Sequence, residues 1–236
     1  RSTPVISSAA SDVYKRQVIC GANTAWTHPV IFRRIQQARE KNPKLKLVVI
    51  DPRKTVTAQQ ADLHLSIPND ADIALFDGLI RHCIDTGCLD TEFIKRNTSG
   101  FDQLAEKLKS SKFTLAQLSD TLGIDKQSLL TFYRWFSETR KVVTVFCQGV
   151  NQSQTGSDKG NAIINAHLAT GSIGMEGAGP FSITGQPNAM GGREVGGLAN
   201  QLAIHRGFDQ ESIDAIKAFW RSPDIATKPG LKAVEM

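Results

Sequence analysis

The hydrophobic pattern alternates between short apolar runs and longer stretches with helical spacing. Val18-Ile19-Cys20 is an apolar run that stops at Gly21. After GANTAWTHP, Pro29 suits a first helical position, and the following IFRRIQQAREK sets Ile31, Ile35 and Ala38 on one face. Asn42-Pro43 ends that helix, and LKLVVID follows as an uninterrupted apolar run, the mark of a strand covered on both faces. Asp51-Pro52-Arg53 breaks it. A short strand, LHLSI, then leads to Pro68-Asn69-Asp70-Ala71-Asp72, where an acidic cap is expected to open the helix IALFDGLIRHCID. Residues 91–140 read as short amphipathic helices, VVTVFCQGVNQ as the last buried strand, and about Thr155–Thr170 as a helix. Strands alternating with helices predict an α/β fold, a parallel sheet with helices on both faces.

The character changes after Gly171. Nearly half of the nineteen glycines fall in residues 171–200, with almost no periodicity, before a helix returns at roughly 210–220. A domain boundary is therefore expected near 183, with the truncated start of a second α/β domain over 184–236. At the other end, RSTPVISSAASDVYKRQ has neither a hydrophobic period nor the apolar segment of a secretory signal. It runs without a turn into what looks like the last half of a strand. Residues 1–17 therefore read as a non-native, unstructured leader.

Composition narrows the function. No apolar run approaches the roughly 20 residues a membrane helix needs, so no membrane partner is expected. The net charge of +5 is dispersed: residues 1–17 supply +2 and the rest +3. Without a basic stripe carrying interleaved aromatics, no nucleic-acid partner is expected either. Cys20, Cys83, Cys88 and Cys147 lack a metal-ligand rhythm and read as buried free thiols. No metal ligand is expected in this chain.

In an open α/β sheet, ligands bind where strands end and helices begin. Gly21-Ala22-Asn23 and Gln148-Gly149-Val150-Asn151-Gln152 follow two strands, and glycine there lets a backbone approach a ligand closely. Neither is a GxGxxG fingerprint, so a Rossmann-like site is expected without the NAD signature. Asp51 ends a strand thirty residues after Gly21; its carboxylate can accept from a ribose diol or simply form a turn before Pro52. Asp70 and Asp72 either cap a helix or face the pocket, where carboxylates would match the paired N–H donors of guanine. His28 reads as a helix-leading residue, and Arg53 and Lys54 as solvated or phosphate-facing.

GANTAWTHP, VVIDPRKTVTAQQADLHLSIPNDADIAL, VFCQGVNQSQTGSDKGNAI and LATGSIGMEGAGPFSITGQPNAMGGREVGG resemble, in order and spacing over residues 18–200, the bis-molybdopterin-guanine-dinucleotide (bis-MGD) oxidoreductases. The last block is similar to nitrate reductases, nearest the cytoplasmic assimilatory type, and unlike formate dehydrogenases. The resemblance implies that residues 18–183 form a molybdopterin-guanine-dinucleotide-binding domain and that 184–236 begin with a substrate-funnel loop. It implies that Cys20, Gly21, Ala22, Asn23, Thr24, Ala25, Trp26 and Thr27 line the dinucleotide site. Asp51, Pro52, Arg53, Lys54 and Thr55 would lie at the next strand end. Asp70, Ala71 and Asp72 would contact the guanine, and Gln148, Gly149 and Gln152 would lie near the pterin. Periplasmic relatives usually carry Met where Gln148 stands.

Gln186 and Arg193 would face the funnel as catalytic residues. The physics suits Arg193, since a guanidinium fork binds a planar anion such as nitrate bidentately and without titrating near neutrality. The implied reaction is oxygen-atom transfer from nitrate at molybdenum. The molybdenum-ligating cysteine and the [4Fe-4S] cysteines are expected upstream, so this chain alone is expected to be inactive. A flavoprotein or ferredoxin is the implied electron donor and the cytoplasm the implied compartment. Two alternatives stay open: a formate dehydrogenase-like enzyme, and a metal-free scaffold subunit of the same fold.

Overall fold

A computed structural model describes residues 15–109, 113–184 and 201–231. It divides the chain into two compact units, Arg1–Gly185 and Gln186–Met236. The first is built on five parallel strands: β1 (Arg16–Cys20), β2 (Lys46–Ile50), β3 (Leu63–Leu65), β4 (Val142–Phe146) and β5 (Gly179–Ser182). Their order across the sheet is β3-β2-β1-β4-β5, and every pairing is parallel.

Side chains alternate across the pleat, so each strand feeds two cores. Val18, Cys20, Val48 and Ile50 face one cluster, completed by α4 (Asp72–Thr86), α8 (Lys126–Ser137) and α10 (Gly156–Ala169). Ile19, Leu47, Val49, Val143 and Val145 face the other, closed by Ile35 and Ala38 of α2 (Pro29–Lys41). This two-sided burial explains why the strands read as unbroken apolar runs rather than as alternating ones. Between α4 and α8, the helices α5 (Thr91–Asn97), α6 (Phe101–Leu108) and α7 (Leu115–Leu122) fill out the first layer. Gly78 of α4 lies where a β-carbon would strike the Tyr133 hydroxyl and Leu118, so its lack of a side chain sets how closely the helices approach.

Three expectations are corrected. Strand β1 starts at Arg16, ahead of the boundary placed at residue 17. Gln17 is buried in the strand, with Nε2 donating to the carbonyls of Val18 and Val143 at 3.0 and 3.2 Å. Its amide is satisfied by strand carbonyls, so a polar residue sits inside the sheet at little cost. Next, β4 is not the last strand: β5 pairs with it from Val143↔Gly179 to Phe146↔Ser182. Finally, no acidic side chain caps α4. Its N-cap is Ala71, which makes no side-chain hydrogen bond, and Asp72 is the first helical residue.

Single-turn helices α1 (Thr24–Thr27), α3 (Val56–Gln59) and α9 (Gln148–Asn151) follow β1, β2 and β4. In the second unit, α11 (Gln210–Trp220) is N-capped by Asp209, whose carboxylate accepts from Ser212 N at 2.9 Å. Leu202, Ala203, Ile213 and Ile216 form its small core. Among the described residues, no helix is long and apolar enough to cross a membrane.

Candidate functional site

The strand order reverses between β1, which continues outward to β2, and β4, which continues to β5. At such a reversal the connections leave on opposite faces of the sheet and open a crevice beyond the strand ends. The registers Cys20↔Ile50, Cys20↔Phe146 and Ile50↔Leu65 bring four strand ends level. The loops after β1, β2, β3 and β4 therefore converge, and they enclose a cleft of about 740 Å³. Ligand pockets typically occupy roughly 300–1,000 Å³.

The floor between β1 and β4 is made by backbone alone. Gly149 N donates to Gly21 O at 3.0 Å, and Gly21 has a left-handed φ of 58°. A β-carbon on Gly149 would stand 2.7 Å from Gly21 Cα, and one on Gly21 would stand 2.9 Å from Gly149 Cα. Both contacts are closer than real β-carbons tolerate, so the two loops close on each other only as glycines. Asn23 is oriented from below: Thr57 Oγ1 donates to Asn23 Oδ1 at 2.8 Å and accepts from Ala25 N at 2.9 Å.

The walls carry charge. Asp51 is buried at the end of β2. Its Oδ1 accepts from Arg53 N at 2.9 Å, the turn geometry considered above, and the residue also lines the cleft. The turn reading of Asp51 is thus seen in the structure, in a residue that also faces the cleft. Asp70 and Asp72 form a cluster whose cation, Lys159, sequence reasoning missed. Lys159, in the first turn of α10, is only 2% exposed; its Nζ reaches Asp70 Oδ1 at 2.6 Å and Asp72 Oδ2 at 3.3 Å. Desolvation pulls the Lys159 ammonium down, but hydrogen bonds and charge from Asp70 and Asp72 outweigh it and hold the group above its ordinary value. On the far side of Asp72, Cys20 Sγ donates to Oδ1 at 3.4 Å. Burial first, then the neighbouring Asp72, raise the Cys20 thiol well above its ordinary value, so it serves as a donor and not as a thiolate.

Of the residues singled out from sequence, Gly21, Ala22, Asn23, Thr27, Asp51, Pro52, Arg53, Asp70, Asp72, Gln148, Gly149 and Gln152 line this one cleft. Seven other residues expected at the dinucleotide site do not line it. Cys20 lies buried behind Asp72, and Thr24 is fully buried in α1. Trp26 points outward at 73% exposure. Ala25 gives its N–H to Thr57, Thr55 caps α3 by accepting from Ala58 N, and Ala71 caps α4. Lys54 is exposed and also stands off the lining. His28 leads α2 and its Nε2 donates to Thr184 O at 2.6 Å. Gln186 and Arg193 lie outside the described residues. Ile50, Ile67, Pro68, Asn69, Cys147, Ser153 and Lys159 complete the lining without having been anticipated in that role.

The donor set suits a nucleotide. Three carboxylates accept hydrogen bonds, Arg53 and Lys159 supply positive charge, and bare glycine backbone allows close approach. Among the described residues there is no group of three His, Cys, Asp or Glu side chains placed to hold a metal ion.

Fold and cleft together define a doubly wound α/β domain with a cleft at the point where strand order reverses, where ligands of such domains bind. The chain belongs to the molybdopterin oxidoreductase family, whose profile it matches over residues 1–236. It is 51% identical to a nitrate reductase of Shewanella frigidimarina across 93% of this chain and 23% of that protein. With a nitrate reductase of Klebsiella oxytoca it shares 42% identity, across 93% of this chain and 24% of the relative. An F420-dependent formate dehydrogenase subunit alpha of Methanocaldococcus jannaschii is 34% identical, across 93% of this chain and 32% of the relative. The chain thus spans about a quarter of the length of the two nitrate reductases. Acetylene hydratase from Pelobacter acetylenicus shares the fold, with a TM-score of 0.63 and 23% identity over 70% of this chain and 22% of that one. Family membership implies a molybdenum–molybdopterin cofactor.

Proposed function

We propose that the cleft binds the guanosine diphosphate end of a molybdopterin guanine dinucleotide, within a longer bis-MGD enzyme that reduces nitrate to nitrite. The observation that carries this reading is the convergence of Gly21, Asp51, Asp72 and Gly149 on one cleft at the strand-order reversal. Asp70 and Asp72 accept hydrogen bonds from the adjacent N1–H and N2–H₂ of the base. Asp51 accepts from the ribose diol. The Gly21 and Gly149 backbones admit the diphosphate, with Arg53 supplying charge beside it, and Gln148 and Gln152 extend toward the pterin side. The molybdenum centre, when bound, supplies the oxygen-atom transfer, and the protein's part is placement and charge.

To Arg193 this reading assigns the binding of nitrate, a planar anion that suits a guanidinium fork, and to Gln186 a role in the same substrate funnel. The longer protein would hold a [4Fe-4S] cluster outside this segment, which would supply electron transfer from a flavoprotein or ferredoxin in the cytoplasm. Identity of 51% to a nitrate reductase supports this substrate. The experiment is to express the longer protein carrying this segment and to quantify GMP released on acid hydrolysis together with nitrite formed from nitrate. GMP near one to two per protein, with nitrite production, supports the reading; cofactor-free protein from a cofactor-competent host contradicts it.

A formate dehydrogenase-like activity is the second reading, favoured by the 34% identity to such a subunit. The same preparation decides between them by oxidising formate in place of reducing nitrate.

A further inference from the structure

Lys159 occupies a position that neither packing nor helix formation explains. It sits on the buried face of α10, one turn ahead of Ile163, with its ammonium almost wholly removed from water. Burying an ammonium is costly unless it is paired, and both of its partners belong to the cleft wall. One is Asp70, in a left-handed backbone conformation with φ 68°, uncommon outside glycine. The other is Asp72, whose second oxygen is already held by Cys20. The Asp70 carboxylate is two-thirds exposed, and among the described residues it is ion-paired with Lys159 Nζ. Without that contact, two like charges stand side by side and Asp70 is free to turn to solvent.

Resting on the guanine reading of the cleft, we infer that Lys159 is a positioning residue that sets base specificity. By bridging Asp70 and Asp72 it holds two acceptor-only carboxylates side by side. That edge matches a base presenting adjacent donors, as guanine does through N1–H and N2–H₂. Adenine presents an acceptor beside its single amino donor, and against two carboxylates that acceptor is left unpaired and repelled. Lys159 itself makes no contact with the diphosphate, because its ammonium is engaged by the carboxylates.

The test uses equilibrium dialysis of GDP and of ADP against the whole 236-residue chain, with folding monitored by circular dichroism. The unsubstituted chain should prefer GDP, and Lys159→Met should reduce that preference by about tenfold or more, while ADP binding changes little. Lys159→Arg should recover part of it. Equal losses for GDP and ADP would assign Lys159 to the diphosphate and overturn the inference, as would an undiminished GDP preference. Asp72→Asn separates the two levels. If it abolishes the preference while Lys159→Met does not, only the inference fails; if the unsubstituted chain shows no preference, the guanine reading fails too. Should Lys159→Met not fold, Lys159→Gln keeps an uncharged hydrogen-bond donor and leaves both carboxylates in place, and a loss of GDP preference with ADP binding little changed is expected of it.

Discussion

Gly149 has no room for a side chain, because its missing β-carbon would fall 2.7 Å from the Cα and carbonyl oxygen of Gly21. The neighbour is backbone at the end of a central strand and cannot swing aside. Gly149→Ala should therefore destabilise the domain by about 1–3 kcal/mol, the usual cost of overpacking, which a denaturant titration would read as a lower midpoint. A midpoint unchanged from the parent would mean that the two loops are not pinned together. Asp72→Ala removes an acceptor and leaves the Cys20 thiol and Lys159 short of a partner. In the longer enzyme it should lower guanine-dinucleotide retention by about ten- to a hundredfold, the range for a hydrogen bond to a charged group. Unchanged GMP content after prolonged dialysis would count against the assignment. Asp72 was legible in the sequence as a carboxylate after a strand; Lys159 was not. In GSDKGNAIINAHLA it reads as the polar start of a helix. The overlooked signal is that Lys159 shares the apolar stripe of Ala162, Ile163 and Ala166, a buried face on which a lysine must find carboxylates.

At the level of elements, β4 and α10 are joined by one buried polar contact. His167 Nε2 lies 2.8 Å from Thr144 Oγ1, and both residues are fully buried. Burial pushes the imidazole from its ordinary 6.5 down to about 3. The folded protein thus keeps His167 neutral while the unfolded chain takes up a proton below about pH 6.5, so the unfolded state binds more protons in that window. Stability should fall as pH drops from about 6.5 toward 3, with this residue contributing about 1.4 kcal/mol per pH unit. His167→Gln should flatten that part of a stability-against-pH curve, and an identical slope in the variant would remove His167 as its source. Legibility at this scale followed length and period. Strands β1, β2 and β4 are apolar runs, and α2, α4, α10 and α11 show helical spacing; all were readable. Strand β5 is Gly-Pro-Phe-Ser, with no alternation and two residues that disfavour strands, and it exists because β4 offers it an edge. Helices α1, α3 and α9 are four residues each, too short to show any period.

Over the whole molecule, a parallel sheet of order β3-β2-β1-β4-β5 leaves a single reversal, and the cleft lies at that reversal. Topology thereby brings together residues separated by more than a hundred positions, such as Gly21 and Gly149. Their meeting could be anticipated from the alternation of strands and helices, whereas the strand order could not. The nitrate reading is tested in a longer protein that carries this segment. There, Arg193→Lys should raise the KM for nitrate strongly and leave molybdenum content intact, since a point charge replaces a bidentate fork. A variant that loses molybdenum yet binds nitrate normally in its loaded fraction would make Arg193 structural. The most direct measurement is hydrogen exchange of the chain with and without GDP. Slowed exchange is predicted together in the segments around 21–27, 51–53, 67–72 and 148–153, which come from four different strand ends. Protection confined to one of them, or appearing only elsewhere, would contradict a shared nucleotide bed.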